Sequence, residues 1–509
     1  MESNNKRIAK NTLYLYFRML LTMGVSLYTS RVVLNTLGVE DFGIYNVVGG
    51  VIVMFGFLNS SMSGATSRFL TFELGRQDYE KLKKTFSAAL TVHFIIAGII
   101  LILGETIGLW FLENKLVITP ERMDAAQWVY QLSILSTMIS ITQVPYNAMI
   151  ISHERMRVFA VIEIINKLLL LGIIFIVATS DFDKLIFYAV LMLGVSVIIA
   201  MSYRIYCIKH FSESHYKFEW NKEIMKPMVS FSGWNLFGNI AYVAKGQGNN
   251  VLLNLFFGTI VNAAYSIAAT IQGVVVNFVS SFQTAVNPQI TKNYASKNYE
   301  QFLNLLYKSS RLSFCIMLIP IVPILFNVDY ILKLWLKIPP LYSNSFITLC
   351  LINSLIDTVS NPLITGAMAT GKIKIYQLVL GTLLFLNLPV SYVLLLFYKE
   401  PTTMYWVSIV ISGIVLIFRI KFLERMINLN VKDFLLQVVN KITLTCVPIC
   451  GIVYLFYKYW GIAHNIKLLI FQSCTLALLS VFCVLLFGIK RTERQYIYSV
   501  LTNKISKYL

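Results

Sequence analysis

The chain has 509 residues, of which 57% are hydrophobic and only 13% are charged, and its mean hydropathy is +0.68. A soluble domain carries roughly twice that share of charged residues, so the composition excludes a soluble globular protein. The formal net charge of +19 is explained by basic loops that face anionic lipid headgroups, without a nucleic-acid partner.

Apolar runs long enough to cross the ~30 Å hydrocarbon core of a bilayer recur from end to end. They predict an all-α, polytopic membrane protein with about fourteen transmembrane helices. The first run begins near Asn11 without a small-residue cleavage site, which predicts a retained helix rather than a signal peptide. The predicted spans are 12–34, 44–62, 86–111, 128–151, 158–179, 185–206, 228–256, 263–285, 312–335, 346–369, 375–397, 403–421, 441–458 and 466–488.

The basic residues between the spans predict the orientation of the chain. Of the 43 Lys and Arg residues, 31 fall on the side of the N-terminus, 8 fall on the opposite side and 4 lie within predicted spans. Cytoplasmic loops carry an excess of Lys and Arg. We therefore expect both termini in the cytoplasm.

One stretch of the chain occurs twice. Residues within 38–82 match residues within 258–302 at an offset of 220. Just upstream, Val32, Leu34 and Asn35 match Val251, Leu253 and Asn254 at an offset of 219, so Phe257 is a one-residue insertion. Apolar strings also align by chance, but several of these matches are polar or aromatic and keep register across a loop. The matched pairs are Gly38 with Gly258, Tyr45 with Tyr265, Ser60-Ser61 with Ser280-Ser281, Ala65 with Ala285, Thr71 with Thr291, and Tyr79-Glu80 with Tyr299-Glu300.

An even number of predicted spans separates the two copies, which predicts parallel repeats related by an axis along the membrane normal. The expected architecture is two six-helix halves around a central cleft, followed by two C-terminal helices. The expected divisions are an N-terminal half (1–207), a cytoplasmic linker (208–227), a C-terminal half (228–424), and a segment with two additional helices and a basic tail (425–509). Prolines are expected to kink several spans, namely at Pro145, Pro320, Pro323, Pro362, Pro389 and Pro448.

No catalytic pattern is evident in the sequence. It contains no Gly-rich phosphate loop followed by Lys and Ser or Thr, so no built-in ATPase is expected. The five histidines and seven cysteines are scattered, which predicts neither a metal site nor a disulfide framework. A membrane-embedded transferase is disfavoured for the same reasons. We expect no enzymatic activity and no cofactor.

Charged residues inside the predicted spans are the most informative signal, because a charge at mid-bilayer costs at least ~2.5 kcal/mol on insertion scales. Glu163 and Lys167 lie four residues apart on one helix face, so they are either a structural ion pair or part of an ion-coupling site. Asp357 is a second ion-coupling candidate. Arg31 lies near the outer end of its span and is able to snorkel to the headgroups.

Arg18 and Lys245 are the strongest candidates for substrate binding. They occupy the equivalent first and seventh spans, and Lys245 lies among glycines and asparagines. A helix of that polarity lines either a polar seam with another helix or a watery cavity. If both helices face the repeat axis, Arg18 and Lys245, with Arg31 above, form a cationic cleft suited to a pyrophosphate.

The chain resembles Wzx-type polysaccharide and O-antigen flippases of the multidrug/oligosaccharidyl-lipid/polysaccharide (MOP) exporter superfamily. The resemblance lies in the number of spans, in the cations of the first and seventh spans, and in local sequence. The stretches that carry it are Ser30-Arg31-Val32-Val33-Leu34, Leu37-Gly38-Val39-Glu40-Asp41-Phe42-Gly43-Ile44-Tyr45, and 282–294. Arg18 is the residue that matches functional first-span arginines of the related lipid II flippases.

The resemblance implies an alternating-access bundle in the bacterial cytoplasmic membrane that flips an undecaprenyl-pyrophosphate-linked oligosaccharide to the outer leaflet. Expected partners are this substrate, membrane lipids, H⁺ or Na⁺ as a coupling ion, and polysaccharide polymerase machinery. A cation or drug antiporter on the same fold is the alternative, and it requires an unpaired buried carboxylate. A membrane scaffold without transport is disfavoured, because it has no need of buried charges in equivalent helices.

Overall fold

Helices form all of the regular structure that is described. The computed structural model describes residues 2–53, 56–114, 116, 118–218, 220–491 and 493–495, and these contain no β-strand, which confirms the all-α class. Residues 54–55 of the predicted second span, Lys115, and residues 496–509 of the predicted basic tail lie outside the described residues.

The helices are, in chain order, α1 (Glu2–Val53), α2 (Gly56–Arg76), α3 (Tyr79–Leu103), α4 (Leu109–Asn114), α5 (Met123–Ser152), α6 (Met156–Ala178), α7 (Lys184–His210), α8 (Lys222–Phe257), α9 (Thr259–Ala295), α10 (Tyr299–Phe326), α11 (Val328–Leu336), α12 (Ser343–Ala369), α13 (Lys374–Phe385), α14 (Asn387–Tyr398), α15 (Thr403–Ile427), α16 (Val431–Phe434), α17 (Asn440–Trp460) and α18 (Ile466–Cys483).

Eleven helical segments within the described residues are long and apolar enough to cross a membrane. They coincide with the third to sixth and the eighth to fourteenth predicted spans. The other three predicted spans fall on α1, on the junction of α1 and α2, and on α8. Of the charged residues that the sequence singles out, Arg18 and Arg31 lie on α1 and Lys245 lies on α8. The count of fourteen stays a prediction.

Two predicted spans of the second unit are each divided between two helices. The span predicted at 312–335 changes from α10 to α11 at Asn327, and the span predicted at 375–397 changes from α13 to α14 at Leu386, close to Pro389. The other five prolines lie inside helices that continue through them, and the expected kinks stay predictions. A helix of this length keeps its remaining backbone hydrogen bonds on both sides of one proline.

The repeat is visible in the backbone. Gly38 produces a kink within α1 at φ 81° and ψ 170°, and Gly258, its repeat equivalent, separates α8 from α9 at φ 77°. The Gly38 conformation is essentially restricted to glycine, because a Cβ clashes with the backbone there. A positive φ at two equivalent positions supports the repeat.

A contact between two equivalent residues also supports the repeat. A Cβ built on Gly75 lies 2.9 Å from the Cβ of Ala295, its partner at the offset of 220, and 2.8 Å from the Cα of Lys292. Any larger residue at position 75 forces the ends of α2 and α9 apart.

The helices form two compact units. The first comprises the described residues within Met1–Asn239 and Thr284–Asn298, and the second those within Ile240–Gln283 and Tyr299–Leu509. Both α8 and α9 therefore contribute residues to each unit. The division of the chain into 1–207, 208–227, 228–424 and 425–509 and the central cleft stay predictions.

Each unit has its own apolar core, built from the inward faces of its helices. In the first unit, α1, α3, α5, α6 and α7 contribute to this core, with Leu15, Phe86, Met149, Ile174 and Tyr203 fully buried. In the second unit, the core includes Leu253, Ala264, Met317, Phe346 and Met404. These cores fix the helix faces on which the charged side chains lie.

Candidate functional site

Arg18 lies at the contact of α1 with α6 in the first unit. Its guanidinium carbon is 4.9 Å from the centre of the Phe159 ring, a cation–π arrangement. Arg18 Nε is buried and has no hydrogen-bond partner among the described residues. A buried donor without a partner is costly, so this guanidinium has unused capacity to bind an acceptor.

Glu163 lies one helical turn after Phe159 on α6. The Tyr203 hydroxyl of α7 donates a hydrogen bond to Glu163 Oε1 at 3.1 Å, and Arg18 and Glu163 interact electrostatically. Glu163 forms no ion pair with Lys167, contrary to one reading of their spacing. Tyr203 on α7, which is 40 residues away in sequence, is the partner of Glu163 instead of Lys167.

A polar cavity of about 210 Å³ lies between α5, α6 and α7 in the first unit. Glu163 contributes a carboxylate to its wall, and Asn147 contributes an amide whose Oδ1 is buried and has no partner among the described residues. The other lining residues are Ser140, Gln143, Val144, Asn166, Ser196 and Ile199. Polar walls at membrane depth indicate a hydrated space, because lipid does not solvate them.

Lys245 is buried in the second unit, with 7% of its surface exposed. Its ammonium donates a hydrogen bond to Ser412 Oγ of α15 at 2.9 Å. One turn along both helices, Asn249 Nδ2 donates to Ser408 Oγ at 3.3 Å, and Asn387 Nδ2 donates to the same oxygen at 3.0 Å. Within the described part of the chain, Lys245 has no carboxylate partner within ion-pair distance. The ammonium is therefore held in a seam of neutral groups.

Asp357 is half-buried on α12 in the second unit. Asn353, one turn earlier on the same helix, donates its Nδ2 to Asp357 Oδ2 at 3.0 Å. No cation lies within ion-pair distance of Asp357 among the described side chains. Asp357 is thus a carboxylate with a neutral partner, as Glu163 is.

The structure brings some of the predicted site residues together and leaves others apart. Arg18 and Glu163 share a contact region in the first unit, Lys245 and Asp357 belong to the second, and Arg31 is exposed on α1. A shared cleft for Arg18 and Lys245 stays a prediction.

A buried carboxylate that sequence reasoning missed lies in the first unit, at the turn between α5 and α6. Glu154 has a side chain that is 1% exposed, and it accepts from Arg7 Nε at 2.8 Å, from Lys292 Nζ at 2.6 Å and from Gln289 Nε2 at 2.6 Å. The residue adopts a positive φ of 59°. It joins the ends of α1 and α9 to the α5–α6 turn. A carboxylate in a short loop among basic residues gives no signal of burial in the sequence.

Sequence reasoning also missed the hydrogen-bond partners of Lys245 and Asn249, although the sequence contains signals for them. Ser408 and Ser412 repeat the four-residue spacing of Lys245 and Asn249, so the two pairs can meet along antiparallel or parallel helices. Asn387 precedes Pro389, and proline is tolerated in the first turn of a helix, which is where α14 begins. The described residues contain no group of three or more His, Cys, Asp or Glu that is able to hold a metal ion.

Comparison with known proteins identifies the fold. A MATE transporter in the bent conformation has a TM-score of 0.72 at 14% identity, covering 84% of this chain and 96% of that chain. An outward-facing multidrug resistance MATE family transporter of the MOP superfamily has a TM-score of 0.71 at 14% identity, covering 83% and 96%. A MOP superfamily transporter from Pyrococcus furiosus, described as having a binding pocket of reversed polarity, has a TM-score of 0.67 at 13% identity, with the same coverage.

The fold is therefore that of MATE-type membrane transporters. The family model described as "Polysaccharide biosynthesis protein" matches residues 8–294, which is more than half of the chain, and the MatE model matches residues 235–393. The chain belongs to the polysaccharide biosynthesis protein family, within the MOP exporter superfamily, as its sequence predicts. No curated protein sequence matches it.

Proposed function

We propose that this protein flips an undecaprenyl-pyrophosphate-linked oligosaccharide from the inner to the outer leaflet of the bacterial cytoplasmic membrane by alternating access. The product serves surface polysaccharide synthesis, as O-antigen, capsule or exopolysaccharide. The observation that carries the proposal is Lys245, a buried ammonium that only neutral side chains contact among the described residues. A buried charge without a counterion needs a reason, and an anionic substrate supplies one.

In this proposal, cationic side chains of the carrier bind the anionic group of the substrate. The pyrophosphate is the anionic part of the substrate, and guanidinium and ammonium groups bind phosphate oxygens by charge-assisted hydrogen bonds. Arg18 in the first unit and Lys245 in the second are the cations assigned to it, with exposed Arg31 as an entry contact. The glycan travels with the pyrophosphate in a polar environment while the lipid tail stays in the bilayer.

The membrane potential favours export of this anion. In an inside-negative cell each negative charge moved outward gains ~2.3 kcal/mol per 100 mV. H⁺ or Na⁺ coupling at Asp357 or Glu163 adds a second driving force in this proposal. Both termini lie in the cytoplasm, and the polymerase machinery that extends the glycan takes over on the outer face. The carrier itself makes and breaks no covalent bond.

A cation or drug antiporter is the second candidate function. The observation in its favour is that Glu163 and Asp357 lack cationic partners within ion-pair distance among the described residues, so Lys167 does not neutralise Glu163. The match of residues 235–393 to the MatE model also fits this function. An antiporter uses such a carboxylate as the shared site for a proton and a cationic substrate.

One experiment separates the two functions. The purified full chain is reconstituted into liposomes, and two readouts are followed in the same vesicles: the leaflet exposure of a fluorescent polyprenyl-pyrophosphate oligosaccharide and the proton-driven efflux of a fluorescent organic cation. The flippase function predicts protein-dependent exposure of the lipid and no cation efflux. Cation efflux without lipid flipping establishes the antiporter instead.

A further inference from the structure

The cavity of the first unit has a lining that is unusual for a helix-bundle interior. Three amides (Gln143, Asn147 and Asn166), one carboxylate (Glu163) and the hydroxyls of two serines face it, against two aliphatic side chains. These polar groups come from three different helices, α5, α6 and α7. Packing alone does not require so many polar groups in one place, because each costs free energy when it is buried without a partner.

Much of this hydrogen-bonding capacity is unused. Asn147 Oδ1 is buried without a partner among the described residues. Glu163 Oε1 accepts from Tyr203, which leaves Oε2 open to a further donor. Within the same part of the chain, no hydrogen bond from the amides of Gln143 or Asn166 is formed. The cavity therefore offers both donors and acceptors.

The size of the cavity restricts its occupant. A volume of about 210 Å³ corresponds to roughly seven water molecules at ~30 Å³ each. It is smaller than the ~300–1,000 Å³ of sites for drug-sized ligands. One sugar ring with its hydroxyls fits this volume, and a second ring does not.

The chemistry of the lining favours a sugar over a metal cation. Hard cations are bound by converging oxygen acceptors at short distance, and the NH₂ groups of three amides contribute nothing to such a site. Sugar hydroxyls both donate and accept, which is the combination that amides offer, while a carboxylate accepts strongly. Val144 and Ile199 provide apolar contact for the C–H face of a ring.

We propose that this cavity is a subsite for one neutral sugar ring of the transported glycan, with Glu163 as an acceptor from its hydroxyls. The inference rests on the proposed function, because it takes the glycan as the substrate. Glu163 disfavours acidic sugars by charge repulsion, although Arg18 nearby offsets part of its charge. This assignment leaves Asp357 as the carboxylate for ion coupling.

The test measures the binding of free sugars to the full chain in lipid nanodiscs by ligand-observed NMR, with glucose, N-acetylglucosamine and glucuronate as probes. The neutral sugars are expected to bind about tenfold more tightly than glucuronate, which corresponds to ~1.4 kcal/mol. Glu163→Gln removes the charge at constant shape and brings this ratio towards one. Asn166→Ala weakens all three sugars and leaves the ratio unchanged.

Glu121→Gln is the matched control, because Glu121 is an exposed carboxylate outside the cavity, and it is expected to change nothing. Equal binding of all probes by the wild type and Glu163→Gln overturns the proposal. A second result also overturns it: Na⁺ raises the melting temperature of the wild type, sugars do not, and Glu163→Gln abolishes the effect of Na⁺. The cavity is then a cation site.

The flipping assay separates this inference from the proposed function. Selective sugar binding that depends on Glu163, in a protein that flips no lipid, supports the subsite and removes the proposed function. Normal flipping by Glu163→Gln, with sugar binding unaffected by the substitution, removes the subsite and leaves the proposed function in place.

Discussion

Glu154 shows how a single residue holds several helices together. Its carboxylate is almost completely buried and accepts hydrogen bonds from Arg7, Gln289 and Lys292 within the first unit. Such a group stabilises a fold only while both charges are present, because removal of one leaves the other buried and uncompensated. The three donors are not equally enclosed, since the Arg7 side chain is 49% exposed and that of Lys292 is 21% exposed.

This difference gives a prediction. Glu154→Gln keeps the shape and the backbone conformation but removes the charge, so it is expected to lower the free energy of unfolding by about 3 kcal/mol. Arg7→Ala is expected to cost less, because water already solvates much of Arg7. Denaturant unfolding in lipid–detergent micelles measures both variants. Equal losses for the two substitutions contradict the view that burial controls the strength of these contacts.

Glu213, in the turn after α7, makes the stability of the first unit depend on pH. Burial alone raises the pKa of Glu213, but the hydrogen bond from His153 at 2.7 Å, together with backbone and Ser212 donors, brings the pKa below its ordinary value of 4.5. A carboxyl group whose pKa is lower in the folded state stabilises the fold above its unfolded pKa. That contribution disappears as the pH falls through the folded pKa.

Wild type is therefore expected to exceed Glu213→Gln in melting temperature at neutral pH, and the difference is expected to shrink as the pH is lowered below about 4.5. Thermal unfolding of both proteins across this range measures the effect. A difference that stays constant with pH means that Glu213 acts through shape and not through its charge.

At this scale, the sequence identified charged residues but not what they contact. Arg18, Lys245, Glu163 and Asp357 stand out because they interrupt apolar runs. Their partners do not, since Ser412 is 167 residues from Lys245 and Tyr203 is 40 residues from Glu163. The i, i+4 pairing of Glu163 with Lys167 is one of the two readings that the sequence allows, because spacing along one helix is all that a sequence shows.

At the scale of helices, the sequence predicted the eleven most apolar spans in their observed order. Hydropathy detects long apolar runs, so it is least informative for α1 and α8, in which polar and charged residues interrupt the apolar sequence. The changes of helix at Asn327 and Leu386 also escaped prediction, because several other prolines in apolar runs leave their helices continuous. The two matched glycines of the repeat, Gly38 and Gly258, both adopt a positive φ.

Gly38→Ala tests one of these positions. A side chain at φ 81° and ψ 170° is strained, so this substitution is expected to lower the free energy of unfolding by about 1–3 kcal/mol. Gly24→Ala is the matched control, since Gly24 lies in a regular part of α1 with no atom near its added Cβ, and it is expected to be neutral or stabilising. If both substitutions behave alike, the kink does not depend on glycine.

At the scale of the whole molecule, each compact unit contains a cation and a carboxylate within its predicted spans: Arg18 with Glu163, and Lys245 with Asp357. Family membership and fold follow from many residues acting together, which is why the sequence predicted them well. Substrate charge depends on a few groups and on which of them remain available, and a sequence does not show that. Of the two cations, Lys245 gives the stronger evidence for an anionic substrate, since it has only neutral contacts among the described residues.

The most direct measurement of the central claim is the rate at which proteoliposomes flip two lipids that carry the same oligosaccharide, one through pyrophosphate and one through an uncharged linkage. We predict that wild type prefers the pyrophosphate-linked lipid and that Lys245→Met reduces this preference by about tenfold or more, ~1.4 kcal/mol. Folding is expected to be preserved, because removal of a buried charge that lacks a counterion does not destabilise a protein. Lys399→Met, at an exposed lysine, is expected to retain the wild-type preference. Equal preference in wild type and a folded Lys245→Met protein contradicts the assignment of Lys245 to the anionic substrate.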